Sequence, residues 1–234
     1  MSLLLRSSLV LVQAFCNHIA CTPPNRTPSK WRYHTEEASV LQIAPLIFKI
    51  HTILLWLSAV YEVLSTFNYF LGSLLSTQLS TQIDGAFCTA HRAQHFVTPV
   101  FFLGVMMAVL GMFIRVRCFQ ELGQMFTFDL TIHPEHKLVT SGFYKYVRHP
   151  AYTGSLFLIA GIALSHLTPG SWANRCGILE PASSALLGAT WWAWTLTVGV
   201  SRAYAEDDKL RKIFGSEWDA YAAEVKFWFV PGLL

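Results

Sequence analysis

Three stretches of this chain, residues 96–114, 150–168 and 181–201, contain no Asp, Glu, Lys or Arg. A helix rises 1.5 Å per residue, so about 20 apolar residues cross the roughly 30 Å of hydrocarbon in a bilayer. Each stretch has that length. A fourth apolar run, residues 40–72, is interrupted by Lys49 and Glu62. Lys49 can snorkel toward the interface, whereas Glu62 requires a polar partner. Only 13% of the 234 residues are charged, against about 25% in a typical soluble domain. The net charge of +3 is too mild for a nucleic-acid binder. Five scattered cysteines with no C-x-x-C rule out a disulfide scaffold. The fold class that remains is an all-α polytopic integral membrane protein.

Residues 2–20 hold one basic residue, Arg6, followed by an apolar run. That pattern fits either a first transmembrane helix or a cleaved signal peptide. A Pro-rich stretch from Thr22 to Pro28 ends it. About five membrane helices are therefore predicted. Basic residues orient them. Arg26, Lys30 and Arg32 lie in the first loop, and Arg115, Arg117, Lys137, Lys145 and Arg148 in the third. Arg202, Lys209, Arg211, Lys212 and Lys226 lie in the tail. Together these hold thirteen of the seventeen Lys and Arg. The bias places these three regions in the cytoplasm. The chain divides into an N-terminal part, residues 1–114, of membrane helices, and a part from 115 to 234 where charged and aromatic residues gather at membrane edges.

Two constellations stand at those edges. The first runs from His136 to Gly154 and contains L-V-T-S-G-x-Y-x-Y-x-R-H-P-x-Y-x-G. Ser141-Gly142 reads as a turn and Pro150 suits the first turn of a helix. Gly154 permits close backbone approach. The bland alternative is a cytoplasmic interface with an aromatic belt. The second constellation is R-x-x-x-E-D from Arg202, followed by F-G-x-x-W-x-x-Y from Phe214. Arg202 and Glu206 share a face on a helix, which can be a simple surface pair or a grip for a ligand of paired charges. Gly215 reads as a helix stop, and Trp218 and Tyr221 predict a C-terminal interfacial helix.

Order and spacing of these pieces, from Leu122 to the C-terminus, resemble the isoprenylcysteine carboxyl methyltransferases of the endoplasmic reticulum. The stretch from Leu122 to Thr127 is also similar to that family's approach to its cofactor site. The resemblance implies a multi-pass enzyme with its active site on the cytoplasmic edge. Its cofactor is S-adenosylmethionine, and it methylates the C-terminal carboxylate of the prenylated cysteine on CaaX-processed proteins. By position it implies cofactor contacts from His136, Leu138, Val139 and Tyr144, and from His149, Pro150, Ala151 and Tyr152. Glu206 falls on the family's cofactor-binding carboxylate. Arg202 falls on the catalytic arginine that holds the substrate carboxylate. Thr131 stands nearest to a further polar cofactor contact, usually Gln in the family. The chain departs from the family at Glu224-Val225-Lys226, which lacks an expected proline, although Pro231 keeps a later one.

This chemistry suits the residues. An α-carboxylate with a pKa of about 3.5 is ionised at neutral pH, so no general base is needed. Positioning and desolvation carry the reaction. The chain has no G-x-G-x-G loop of a soluble Rossmann-type methyltransferase. The acceptor's prenyl chain and the surrounding membrane lipid are the apolar partners. No metal and no nucleic acid are expected: His91 and His95 are four apart, but no acidic or cysteine partner of suitable spacing accompanies them. Two rivals stay open. An NADPH-dependent membrane sterol reductase shares R-H-P-x-Y-x-G, though such enzymes are usually longer. A phospholipid amine methyltransferase would give Arg202 little to hold.

Overall fold

The computed structural model describes residues 2–25, 43–72, 97–128, 136–169, 171–175 and 177–233. Thr131, His91 and His95 lie outside the described residues. The described residues form helices and no strand. The α-helices are α1 Ser2–Cys21, α2 Ala44–Gly72, α3 Pro99–Leu122, α4 Pro150–His166, α5 Trp172–Arg175, α6 Pro181–Phe214 and α7 Ser216–Glu224. Short 3₁₀ turns cover Gly123–Met125 and Gly142–Lys145.

The protein is an all-α membrane protein. Three helices are long and apolar enough to cross a bilayer: Leu3–Cys21, Ala44–Asn68 and Pro99–Met125. Their outward faces are as apolar as their buried ones. Leu4, Leu54, Leu57, Leu64, Phe67 and Leu103 are all more than half exposed. A helix that is hydrophobic all round suits lipid rather than water. Helices α4 and α6 coincide with the other two predicted spans. At 17 residues α4 measures about 25 Å. Helix α6 does not stop near residue 201 but continues unbroken to Phe214. Helix α3 likewise outruns its predicted end, because Gly111, Ile114, Arg115 and Cys118 extend its buried stripe at helical spacing.

The chain folds as two compact units, each assembled from stretches on both sides of residue 114. The first comprises Met1–His18, Ile50–Val109 and Leu158–Trp192. Its core is Val10 and Ala14 of α1, Ala59 of α2, and Phe101 and Val105 of α3. Helices α3 and α4 touch through glycines. A Cβ on Gly161 would sit 2.5 Å from the Gly104 carbonyl, and one on Gly104 would lie 2.6 Å from the Gly161 carbonyl. Small residues at such a contact are how helices approach where water supplies no driving force. Polar side chains inside this unit pair with one another. Arg6 Nε donates to Glu62 Oε1 at 2.9 Å, Gln13 to Ser165 Oγ at 2.7 Å, and Asn17 to Thr52 Oγ1 at 2.8 Å. Glu62 thereby has the polar partner its sequence position demands.

The second unit comprises Ile19–Lys49, Leu110–Phe157 and Ala193–Leu234. Ile114, Cys118, Phe126 and Tyr144 form its core. Asn25 holds the turn after α3, donating to the carbonyls of Gly123 and Phe126 at 2.7 and 2.8 Å. Helix α4 starts at Pro150, where a missing N–H costs nothing. The C-terminal segment fastens that start: Arg148 and His149 donate their N–H groups to the carbonyls of Phe227 and Trp228, both at 2.9 Å. Thr153 Oγ1 adds a bond to the Phe229 carbonyl at 2.6 Å. Gly215, at φ +54° and ψ −121°, ends α6 in a positive-φ conformation that glycine adopts without strain. Beyond it, Trp218 and Tyr221 of α7 turn inward and are buried.

Candidate active site

A cavity of about 180 Å³ opens within the second unit. Of the residues the sequence marks, His136, Leu138, Val139, Tyr144, His149, Ala151, Tyr152, Arg202 and Glu206 all line it. Pro150 does not; it is fully buried at the start of α4 and shapes the backbone. Segments 136–139, 144–152 and 202–206 are far apart in sequence, yet they meet on one surface.

Each charged side chain is fixed by its element. Arg202 and Glu206 stand one turn apart on α6. Glu206 is pinned twice. Tyr152 of α4 donates its hydroxyl to Oε1 at 2.6 Å, and His149 Nδ1 lies 3.1 Å from Oε2. A carboxylate accepts about four hydrogen bonds, so Glu206 keeps capacity for a ligand while its orientation is held. Arg202 Nη1 donates to the Phe128 carbonyl at 2.7 Å.

His149 bridges two carboxylates. Its Nε2 lies 2.9 Å from Asp207 Oδ1, opposite the contact to Glu206. Both ring nitrogens face acceptors, which the imidazolium satisfies and neutral imidazole cannot. Burial alone would push the His149 pKa down. The hydrogen bonds to Asp207 and Glu206, together with their charge, outweigh it and raise the value from 6.5 to about 9. Asp207 is held further by Trp228 Nε1 at 2.9 Å and by Arg148 at 3.6 Å. His149 therefore positions Glu206 rather than offering a free ring nitrogen to a ligand.

Tyr144 closes another wall. Its phenol is buried beside Cys118, and burial pushes its pKa well above 10. Tyr221 of α7 donates its hydroxyl to the Tyr144 carbonyl at 2.9 Å, which fixes the 3₁₀ turn at Gly142–Lys145.

Sequence alone assigns no site role to Arg115, Ser155, Asp207, Phe128 or Tyr221, although Asp207 and Tyr221 stand within its motifs. Arg115 was readable only as a basic residue ending a membrane span. It lies instead inside the buried stripe of α3 and lines the cavity. The signal was its spacing: Gly111, Ile114, Arg115 and Cys118 fall on one helical face. Ala44, Pro45 and Phe48 also line the cavity, so residues upstream of 114 contribute to it.

The arrangement presents one oriented carboxylate, three guanidinium groups, of which that of Arg148 is paired with Asp207, and an apolar wall. That donor set fits a ligand with an ammonium and a carboxylate at one end, and it admits a second, amphiphilic carboxylate.

Residues 104–211 match the isoprenylcysteine carboxyl methyltransferase family. A probable protein-S-isoprenylcysteine O-methyltransferase of Oryza sativa subsp. indica is 30% identical over 128 residues, covering 54% of this chain and 59% of the relative. Protein-S-isoprenylcysteine O-methyltransferase B of Arabidopsis thaliana is 28% identical over 124 residues, covering 52% and 55%. The chain thus spans less than two thirds of the length of the relatives it matches. Every charged residue that lines the cavity, from Arg115 to Lys209, lies inside the stretch that matches the isoprenylcysteine carboxyl methyltransferase family.

Proposed function

We propose that this cavity transfers a methyl group from S-adenosylmethionine to the C-terminal carboxylate of a prenylated cysteine, forming a methyl ester. The observation that carries the reading is the Arg202–Glu206 pair on one turn of α6, both lining a cavity with apolar walls. The family match and the names of the rice and Arabidopsis relatives support it. The sterol reductase and phospholipid amine readings are not favoured by those matches.

When bound, S-adenosylmethionine supplies an electrophilic sulfonium methyl. Glu206 holds the ammonium of its amino-acid end by a charge-assisted hydrogen bond. His136, Leu138, Val139, Tyr144 and Ala151 supply the surrounding wall, with Tyr152 acting through Glu206. Thr131 remains the proposed extra polar contact. Arg202 acts on the acceptor: its guanidinium binds a carboxylate in a fork and aims one oxygen. No side chain has to take a proton, because the acceptor is ionised at neutral pH. The apolar wall excludes water, which strengthens each ionic contact.

We further propose five membrane spans, with α4 and α6 as the fourth and fifth, and a catalytic region over residues 115–234. The enzyme would sit in the endoplasmic reticulum with the cavity facing the cytoplasm, where CaaX-processed proteins arrive. The excess of Lys and Arg on one set of loops supports that orientation. Titration of the purified protein with S-adenosylhomocysteine and with NADPH tests the reading. Saturable S-adenosylhomocysteine binding is expected. Saturable NADPH binding without it would overturn the assignment.

A further inference from the structure

Arg115 is a buried cation that the sequence motifs leave out. Its side chain is 8% exposed and lies on the cavity wall. Nε donates to the Ala20 carbonyl at 2.8 Å. Nη1 donates to the Ala151 carbonyl at 3.2 Å and to Ser155 Oγ at 2.6 Å. Guanidinium has five N–H groups, so these bonds leave the two on Nη2. The rings of Phe119 and Phe128 flank its Cζ at 5.4 and 5.1 Å. Among the described residues no carboxylate pairs with it. A buried charge without a counterion is costly, and such a group is kept where an anion arrives to meet it.

Its place in the cavity narrows which anion. Phe128 links the two arginines: its ring flanks Arg115 and its carbonyl accepts from Arg202. The start of α4 links Arg115 to Glu206: Ala151 and Ser155 accept from Arg115, while the intervening Tyr152 donates to Glu206. Gly154 is required for this approach, since a Cβ there would lie 2.8 Å from Arg115 Cγ and 2.8 Å from the Gly111 carbonyl. A cation and an anion are thus held by the same two turns of one helix.

We infer that Arg115 binds the α-carboxylate of the methyl donor's amino-acid end, beside the ammonium held by Glu206, and leaves Arg202 for the acceptor carboxylate. The inference rests on the methyl-donor reading above. Two carboxylates enter this reaction, one on the donor and one on the acceptor, and beside Arg148, which is paired with Asp207, the cavity provides one guanidinium for each. Backbone carbonyls, a serine hydroxyl and two aromatic rings hold Arg115 in place without neutralising it, so its charge is available to a ligand.

The test compares two probes: S-adenosylhomocysteine, and its descarboxy analogue, which keeps the adenosine, sulfur and ammonium but lacks the carboxylate. Both are titrated calorimetrically into the full-length protein in detergent. The wild-type protein should bind S-adenosylhomocysteine about 10- to 100-fold tighter, the range of a charge-assisted hydrogen-bonded pair. Arg115→Gln should abolish that preference while binding the analogue as the wild type does. Arg115→Lys, which keeps the charge but loses the fork, should retain part of it. An undiminished preference in Arg115→Gln overturns the inference, as does equal loss of both probes in Arg115→Gln and Arg115→Lys. Failure of the wild-type protein to bind either probe would instead overturn the methyl-donor reading.

Discussion

Two buried arginines show how differently this chain uses charge. Arg6 of α1, 2% exposed, meets Glu62 of α2, 1% exposed, at 2.9 Å, and its guanidinium lies 4.5 Å from the Phe101 ring. Arg115 of α3 is nearly as buried, but carbonyls, a hydroxyl and two rings hold it. The first is neutralised in place by its own fold. The second keeps its charge for whatever enters the cavity. Burial of a cation is therefore no guide to its role; the partner is. An internal carboxylate marks a lock between helices, whereas neutral holders mark a binding group.

The largest expected effect breaks the lock. Glu62→Ala leaves Arg6 buried without its counterion and should destabilise the protein by about 3–5 kcal/mol. Thermal unfolding in detergent measures this. Replacing both Arg6 and Glu62 by leucine should restore most of the loss, since an apolar pair of similar volume carries no charge-desolvation cost. A single and a double variant of equal stability would show that the pair is no lock.

On the cavity side, Arg202→Ala should lower kcat/KM for a prenylcysteine acceptor by about 100-fold and leave S-adenosylhomocysteine affinity near wild type. Full kcat/KM in this variant removes the acceptor-holding role. Glu206→Ala should weaken S-adenosylhomocysteine by about 10-fold or more, read by calorimetry. Unchanged affinity removes Glu206 from the donor site.

The smallest effect is graded with pH. The folded-state pKa of His149 stands at about 9, above its ordinary 6.5. Its imidazolium bridge to Glu206 and Asp207 is complete below 6.5 and is lost as pH rises through about 9. S-adenosylhomocysteine affinity should hold from neutrality and fall several-fold above about pH 9, as Glu206 loses an anchor. His149→Gln should flatten that fall. A flat wild-type profile contradicts the bridge.

The sequence made the helices and most cavity residues readable, because uncharged runs of membrane length and a spaced motif are one-dimensional signals. Pro150, Gly215 and the Arg202–Glu206 spacing translate directly into a helix start, a helix stop and a shared face. What escaped depends on contacts distant in sequence. Arg115 looked like a loop residue because membrane-span reasoning ends a helix at the first charge, whereas α3 continues for seven residues beyond it. His149 looked like a ligand contact because sequence shows it beside Pro150 but not Asp207, 58 residues away. The C-terminal segment read only as a family departure, yet its carbonyls fasten the start of α4. Local propensity reveals elements; the identity of a charge's partner needs the fold.

The most direct measurement is methyl transfer by the purified full-length protein from methyl-labelled S-adenosylmethionine to a farnesylated N-acetylcysteine. A geranylgeranylated acceptor and the farnesylated carboxamide run alongside. The account predicts label in a base-labile methyl ester on a free-carboxylate acceptor and none on the carboxamide, which offers Arg202 no anion. Saturable S-adenosylhomocysteine binding with no label on either free-carboxylate acceptor, or equal labelling of the carboxamide, would contradict it.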